Sequence, residues 1–173
     1  MKSTLKGSKP DTAALLNKGD KYEEARDFRT AFKVYLAGAR LGDSSCQINL
    51  GNYYSWGWGT KQDLKKAEHW YHKAYKNGNA IGALNLGVGK REQGNIRSAI
   101  AWFKKAVAMN DGSAHIALAR IYMSRRSGHK AAANLLLQAI WLNRDNISEL
   151  ARNEAETLLA VIPGKKRLGI ASV

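Results

Sequence analysis

The feature that most constrains how this chain can fold is a short residue pattern that recurs four times. In each copy, bulky residues follow a small residue by three and four positions, and a second small residue follows it by seven. These offsets place the side chains on one face of an α-helix. A Gly or Asn four positions later supplies the left-handed residue that ends a helix. The copies are Ala31-Val34-Tyr35-Gly38 with Gly42, Ala67-Trp70-Tyr71-Ala74 with Gly78, Ala99-Trp102-Phe103-Ala106 with Asn110, and Ala132-Leu135-Leu136-Ala139 with Asn143.

A second pattern precedes each copy and predicts a partner helix. Its Gly or Ala lets two helices approach closely, and an aromatic residue one turn later is expected to fill the gap beside it. The pattern reads Asn17-Lys18-Gly19 with Tyr22, Asn49-Leu50-Gly51 with Tyr54, Asn85-Leu86-Gly87, and Ala117-Leu118-Ala119 with Tyr122. Both prolines lie near the ends of the chain, so none interrupts these helices. We predict an all-α fold, a right-handed α-solenoid of about four helix-turn-helix repeats plus a C-terminal capping helix.

The helix boundaries follow from these patterns and from residues that cap helices. We expect Asp11, Asp63, Asn95, Ser113 and Ser148 to cap helix N-termini. The predicted helices span about 12–26, 28–41, 44–56, 63–77, 80–93, 95–109, 113–126, 128–143 and 148–162. The predicted organisation is a basic N-terminal arm over 1–11, the repeat array over 12–162 and a basic C-terminal tail over 163–173.

Residues 44–79 resemble a Sel-one-like (SLR) repeat, a relative of the tetratricopeptide repeat. The residues that carry the resemblance are Leu50-Gly51, Tyr54, Gly57, Gly59, Asp63, Ala67, Trp70-Tyr71, Lys73-Ala74 and Gly78. The Tyr-x-x-Gly-x-Gly-x-x-x-Asp linker is the most specific part. The other three repeats lack it and are closer to tetratricopeptide length, so the resemblance extends loosely over about 12–143. It implies an α-solenoid that acts as an adaptor, a chaperone-like scaffold or an assembly factor.

The charge of the chain predicts an anionic partner. The 173 residues carry a formal net charge of +14, with an isoelectric point near 10.0. Residues 11–43 carry six basic and six acidic groups, whereas basic groups are in excess over 44–147. We therefore expect the partner to contact the second to fourth repeats.

Candidate partner-binding residues lie on the first helix of each pair and in the glycine-bearing linker. The first helices are expected to line the concave surface of the solenoid, where a mixed apolar and basic groove would receive a helix or an extended segment. An alternative is that these residues pack against neighbouring helices. Trp56 and Trp58 are candidate hot spots, although packing under the adjacent pair is the favoured interpretation, and Trp70, Trp102 and Trp141 are predicted to be core. The candidates are Ile48, Asn52, Leu84, Val88, Arg91, Ile116, Arg120, Met123, Trp56 and Trp58.

A basic surface on the opposite, convex side is an alternative site for phosphate or nucleic acid. The chain has no base-reading helix motif, and a run of charges is usually a solvated face. The residues of this alternative surface are Lys65, Lys66, Lys73, Lys104, Lys105, Arg125 and Arg126.

Nothing in the sequence indicates catalysis, a metal or a cofactor. His69 and His72 lie three apart, but no carboxylate or thiol is placed to complete a metal site. The single cysteine, Cys46, is expected to be buried and inert and cannot form an internal disulfide. No apolar run is long enough to span a membrane, and we expect a soluble, cytoplasmic protein.

The sequence therefore favours a protein–protein interaction scaffold over an enzyme. The first hypothesis is an adaptor that binds an acidic partner protein through its concave and basic surfaces. A toxin-neutralising immunity protein or an assembly protein is a specific form of that role. The alternative is a nucleic-acid-associated factor that uses the basic convex face and the tail.

Overall fold

The computed structural model describes residues 11–142 and 147–163. These residues form nine α-helices and one short 3-10 helix, Arg126–Gly128, with no β-strand among them. The all-α prediction is confirmed, and every predicted helix is present within about three residues of its expected bounds. The helices are α1 Thr12–Glu24, α2 Phe28–Arg40, α3 Ser44–Trp56, α4 Leu64–Lys76, α5 Ala80–Glu92, α6 Ile96–Ala108, α7 Gly112–Met123, α8 His129–Trp141 and α9 Glu149–Val161.

The chain divides between Asn79 and Ala80 into two compact units. In the first unit, α1 packs against α2, α2 against α3, and α3 against α4. In the second unit, α5 packs against α6, α6 against α7 and α7 against α8, and α9 packs on both α7 and α8. Contacts between helices that are close in sequence are typical of helical repeats. The predicted arm and tail lie almost wholly outside the described residues.

Most helices begin at a side chain that accepts a hydrogen bond from a backbone amide of the first turn. The expected cap at Ser113 is wrong. Helix α7 begins at Gly112, one residue before the predicted start, and the Asp111 carboxylate accepts a hydrogen bond from the Ala114 amide at 2.7 Å. Two carboxylates that were not expected to cap, Asp27 and Asp43, begin α2 and α3. The confirmed caps are Asp11, Asp63, Asn95 and Ser148.

The predicted left-handed stops follow the second helix of the first three pairs. Gly42, Gly78 and Asn110 have φ values of 96°, 83° and 61°. Only a residue in this region lets the chain reverse directly after the last helical turn, which is why Gly or Asn recurs there. Asn143, the fourth predicted stop, lies outside the described residues.

A glycine on the first helix of a pair lies against a ring on the second helix. A Cβ on Gly87 would lie 2.5 Å from the Phe103 ring, and Gly19 and Gly51 are equally close to the rings of Tyr35 and Tyr71. The three rings are buried. The aromatic residues one turn after the glycines, such as Tyr54, are only half-buried, so the prediction that they fill this gap was wrong.

The small residues of the repeated pattern form the rest of the helix contacts. The first residue of each copy is at most 3% exposed, and the last is buried as well. Such small side chains let paired helices pack closely, with one bulky side chain per pair filling the space between them. The first residues are Ala31, Ala67, Ala99 and Ala132, and the last are Gly38, Ala74, Ala106 and Ala139.

The linker between α3 and α4 packs on the start of α2. Gly57 and Gly59 have φ values of 76° and 61°, which glycine adopts without strain. Any Cβ on Gly59 would collide with the carbonyl oxygen of Phe28. The Asp63 amide donates to the Tyr54 carbonyl at 2.8 Å, which closes the loop where α4 begins. Gly59 therefore lets the linker lie directly against the backbone of α2.

Candidate partner-binding surfaces

Two of the predicted groove residues are part of the core. Ile48 is 7% exposed and Ile116 is 4% exposed, so neither can contact a partner, and their assignment to a binding surface was wrong. Both residues are buried because their helices have neighbouring helices on more than one side. Helix α3 packs against both α2 and α4, and α7 packs against α6, α8 and α9. Side chains on two faces of such a helix are buried, and little of its surface remains open.

The other predicted groove residues serve mostly as packing or hydrogen-bonding partners. Asn52 Oδ1 accepts a hydrogen bond from the Tyr71 hydroxyl at 2.8 Å. Leu84 and Val88 pack on the cluster around Phe103, and Met123 packs on the cluster formed by α7, α8 and α9. These four residues are half-buried. Their side chains therefore contribute to contacts within the fold.

Two arginines of the predicted groove are exposed. Arg91 lies near the end of α5. Arg120 donates to Glu154 on α9 through Nη2 at 2.6 Å and Nε at 3.0 Å. The pair is solvent-exposed, so it stabilises the fold by at most about 1 kcal/mol. Glu154 nevertheless accepts hydrogen bonds from the Arg120 guanidinium, which the sequence assigned to a partner.

Two carboxylates on α1 are hydrogen-bonded to tyrosines of the second and third helices. The Tyr35 hydroxyl lies 2.7 Å from Asp20 and 3.0 Å from Glu23, and the Tyr53 hydroxyl donates to Glu23 at 3.0 Å. Burial, and then these hydrogen bonds, raise the pKa of Tyr35 far above its usual value. Both hydroxyls therefore stay protonated and tie α1 to α2 and α3.

The positive charge is concentrated on the second helix of each pair. Helices α2, α4, α6 and α8 carry eleven basic residues and one acidic residue, whereas α1, α3, α5 and α7 carry five basic and four acidic residues. All eleven basic side chains are exposed. They are Arg29, Lys33, Arg40, Lys65, Lys66, Lys73, Lys76, Arg97, Lys104, Lys105 and Lys130.

On α2 and α4 these cations form stripes along one side of the helix. On α2, Arg29, Lys33 and Arg40 are spaced by four and seven residues, which places them on one stripe. On α4, Lys65 and Lys76 are eleven residues apart and share a stripe in the same way. The prediction that basic charge begins at the second repeat was incomplete. The acidic residues of α1 balance the basic residues of α2 when charge is summed over residues 11–43, although α2 itself is basic.

The predicted phosphate-binding residues lie mainly among the basic residues of the second helices. Lys65, Lys66, Lys73, Lys104 and Lys105 are among the eleven, and Arg125 is exposed in the turn after α7. The side chain of Arg126 lies outside the described residues.

Three of these lysines lie over aromatic rings. Lys73 Nζ is 4.5 Å from the centre of the Trp70 ring, and Lys105 Nζ is 3.8 Å from that of Trp102, at the matching position of the next repeat. Lys66 Nζ lies 5.3 Å from the Tyr54 ring and 3.4 Å from the Asp63 carboxylate. At these distances each lysine makes a cation–π contact, which at an exposed site contributes about 0.5–1 kcal/mol.

The tryptophans divide between core and surface. Trp70 is 9% exposed, as predicted, and Trp102 is half-buried. Trp141 is 81% exposed, so its assignment to the core was wrong. It lies two residues after the last buried position of the repeated pattern in α8, Ala139, and therefore points to the outer side. Trp56 and Trp58 are 68% and 40% exposed.

The described residues contain no metal cluster and no helix that could span a membrane, and their single cysteine is buried. No group of three or more His, Cys, Asp or Glu side chains there is arranged to hold a metal ion. Cys46 is fully buried, and burial together with Asp43 raises its pKa to about 12, so it stays a thiol. None of the described helices is both long and apolar enough to cross a membrane.

Comparison with known sequences identifies the repeat. The Sel1 repeat family matches residues 44–79 and 81–111. An uncharacterized protein of Neisseria meningitidis serogroup B is 31% identical over 139 residues, which cover 76% of this chain and 28% of that protein. The chain thus spans less than a third of the length of the curated relative that it matches.

Solved structures share the fold. A Sel1 repeat protein from Oxalobacter formigenes superposes with a TM-score of 0.70 at 20% identity, covering 90% of this chain and 63% of that one. A protective antigen of uropathogenic Escherichia coli with an SLR fold superposes with a TM-score of 0.71 at 20% identity, covering 92% and 34%. Repeats of this type generally act as protein–protein interaction scaffolds. Residues 44–111 of the chain therefore hold Sel1 repeats, and the chain shares its fold with Sel1 repeat proteins.

Proposed function

We propose that this chain is a scaffold without enzymatic activity that binds an acidic partner protein through the outward faces of its second helices. One observation carries the proposal. Eleven exposed basic residues and one acidic residue lie on α2, α4, α6 and α8. A scaffold with this distribution attracts a negatively charged surface and repels a positive one, which favours both fast association and selectivity.

Rows of like charge disfavour the folded chain in isolation. Like charges four residues apart destabilise a helix by about 0.2–0.5 kcal/mol per pair. Arg29 and Lys33 form such a pair on α2, a helix that carries no acidic residue. An acidic partner relieves this repulsion when it binds, and relief adds to the attraction between the two surfaces.

An immunity or assembly role is a special case of the same proposal. In it, the acidic surface belongs to a toxin or to a subunit of a larger assembly. The alternative function, binding of nucleic acid, rests on the same cations, since phosphates are also anionic. The scaffold role of related repeats favours a protein.

Co-purification from native cells, before and after nuclease treatment, tests the proposal. We expect a protein partner in stoichiometric amount that survives nuclease and dissociates as salt is raised. The double variant Lys33→Glu, Lys65→Glu should recover at least tenfold less of it. The matched control is Lys18→Glu, Lys21→Glu, which makes the same charge change at exposed positions of α1.

Three results would contradict the proposal. Loss of all bound material with nuclease would indicate the nucleic-acid function. Equal losses in the two double variants would show that net charge matters and the outward faces do not. A larger loss on reversal of Arg91 and Arg120 than on reversal of Lys66 and Lys73 would return the binding site to the first helices.

A further inference from the structure

An exposed pair of tryptophans, Trp56 and Trp58, lies beside the basic stripe of α2. Trp56 ends α3, and Trp58 follows in the linker. The Trp58 ring stacks on Phe28, the first residue of α2, with the ring centres 5.8 Å apart. Gly59 packs against the backbone of the same residue and of Arg29. The tryptophan pair therefore lies at the N-terminal end of α2, where the basic stripe begins.

The two indoles are held by other rings rather than projecting freely. Trp56 stacks on Trp58 with ring centres 6.3 Å apart, and Tyr53 contacts Trp58 edge-on at 5.7 Å. Tyr53 is itself buried and hydrogen-bonded to Glu23. A ring fixed in this way loses little rotamer entropy when a partner contacts it, which is a property of interface hot spots.

Two carboxylates that precede α2, Asp27 and Glu23, are hydrogen-bonded within the fold. Asp27 caps α2, and the hydrogen bonds from Thr30 hold the pKa of the carboxyl group below its usual value. Glu23 accepts hydrogen bonds from two tyrosines. The stripe formed by Arg29, Lys33 and Arg40 has no acidic residue on its own helix. The helix itself therefore carries three positive charges next to an apolar aromatic patch.

We infer that Trp56, Trp58 and the α2 stripe together bind an acidic segment of the partner that carries an aromatic residue as its anchor. The aromatic residue packs on the tryptophan pair, and carboxylates beside it pair with Arg29 and Lys33. These two cations are about 6 Å apart along the helix. Alternate residues of an extended segment are separated by about the same distance, so acidic residues at alternate positions fit the stripe.

This inference rests on the proposed scaffold function and adds a specific partner chemistry to it. A single-stranded nucleic acid also combines anionic groups with flat rings. The contacts already made by Trp58 favour the peptide, because base stacking needs an open ring face, and Trp58 stacks on both Phe28 and Trp56. A protein segment can use the exposed ring edges as well as the free surface of Trp56.

Fluorescence anisotropy with three labelled probes tests the inference. Two are short peptides with Glu at alternate positions that differ only in a central Phe or Ser, and the third is an oligothymidylate of similar length. We expect the Phe peptide to bind about tenfold more tightly than the Ser peptide and the oligothymidylate. Trp56→Ala should abolish the preference for Phe. Lys33→Glu should weaken both peptides by a similar factor.

Trp141→Ala is the matched control, since it removes another exposed tryptophan from a different helix. Its preference for the Phe peptide should be unchanged. Equal affinities of the two peptides, both lowered by Lys33→Glu, would overturn the aromatic anchor and leave the scaffold proposal in place. Failure of both peptides to bind would count against both proposals. Tightest binding by oligothymidylate, lost in Trp56→Ala, would assign this surface to nucleic acid.

Discussion

At the scale of single residues, the first helix of a pair has a glycine where the second helix places an aromatic ring against it, and an alanine where it places a leucine. Gly19, Gly51 and Gly87 lie against the rings of Tyr35, Tyr71 and Phe103 in the first three pairs. In the fourth pair the equivalent residues are Ala119 and Leu136, both buried. A methyl group is thus present only where the opposing ring is absent.

The residue that follows each glycine depends on whether the opposing ring carries a hydroxyl. The residue after the glycine is Asp20 or Asn52 where the ring is a tyrosine, and each side chain accepts from the tyrosine hydroxyl. Where the ring is Phe103, the corresponding residue is Val88, which packs on it. Each pair therefore has its own complete contact, because an unpaired buried hydroxyl would destabilise it by about 1–3 kcal/mol.

Gly87→Ala is predicted to destabilise the protein, and Phe103→Leu should reduce that effect. The added Cβ would lie 2.5 Å from a ring that is fully buried and cannot move aside. Overpacking of about 1–3 kcal/mol then exceeds the gain of about 1 kcal/mol from replacing glycine in a helix. The measurement is the free energy of unfolding in urea for the two single variants and the double variant.

Gly89→Ala is the control for helix propensity, since it lies in the same helix with no atom within 4 Å of an added Cβ. It should raise the free energy of unfolding by up to about 1 kcal/mol. Additive effects of Gly87→Ala and Phe103→Leu would contradict the size matching, because residues in contact should couple by at least about 0.5 kcal/mol.

At the scale of helices and linkers, the fold was largely predictable and the binding surface was not. Caps and left-handed stops are local signals, so the helix bounds could be read directly. The burial of Ile48 is a property of a helix with neighbours on two sides. Its signal was present, since α3 contains no charged residue at all, and a helix without charged residues is typically buried on most sides.

The basic stripe of α2 was missed for a different reason. A charge total over the first repeat hides it, because the acidic residues of α1 cancel the basic residues of α2. Counting charge by helix separates them, because α2 carries three basic residues and no acidic one. The exposure of Trp56 and Trp58 could not be predicted, since it depends on how the linker packs on Phe28.

Gly59→Ala is predicted to destabilise the first unit more than Gly42→Ala. Both residues have positive φ, 61° and 96°, where a residue other than glycine loses about 1–2 kcal/mol. Only at Gly59 would the Cβ also collide with the Phe28 carbonyl, whereas Gly42 has open space around it. The collision should add about 1–3 kcal/mol to the loss in the free energy of unfolding.

Tryptophan fluorescence supplies a second readout for this pair of variants. Displacement of the linker should change the environment of Trp58 in Gly59→Ala, while Gly42→Ala should keep the wild-type spectrum. Equal losses of stability in the two variants would mean that the linker does not rest on α2 as the structure has it.

At the scale of the whole molecule, net charge sets how stability responds to salt. The chain has a formal charge of +14, and the second helices carry eleven exposed basic residues and one acidic residue. Repulsion among these basic residues should therefore outweigh attraction. Since ions screen exposed charges over about 10 Å at 0.1 M salt, added salt should stabilise the folded state.

Raising sodium chloride from about 0.01 M to about 0.2 M is predicted to raise the melting temperature by a few degrees. Several like-charge pairs of about 0.2–0.5 kcal/mol each are screened, and 1 kcal/mol shifts the melting temperature by about 2–4 °C for a chain of this size. Differential scanning fluorimetry measures the shift.

Polyglutamate at equal ionic strength should raise the melting temperature further, because it binds the cations as well as screening them. Uncharged polymer is the control for crowding, and a melting temperature that falls with salt would show that attractive ion pairs dominate the surface instead.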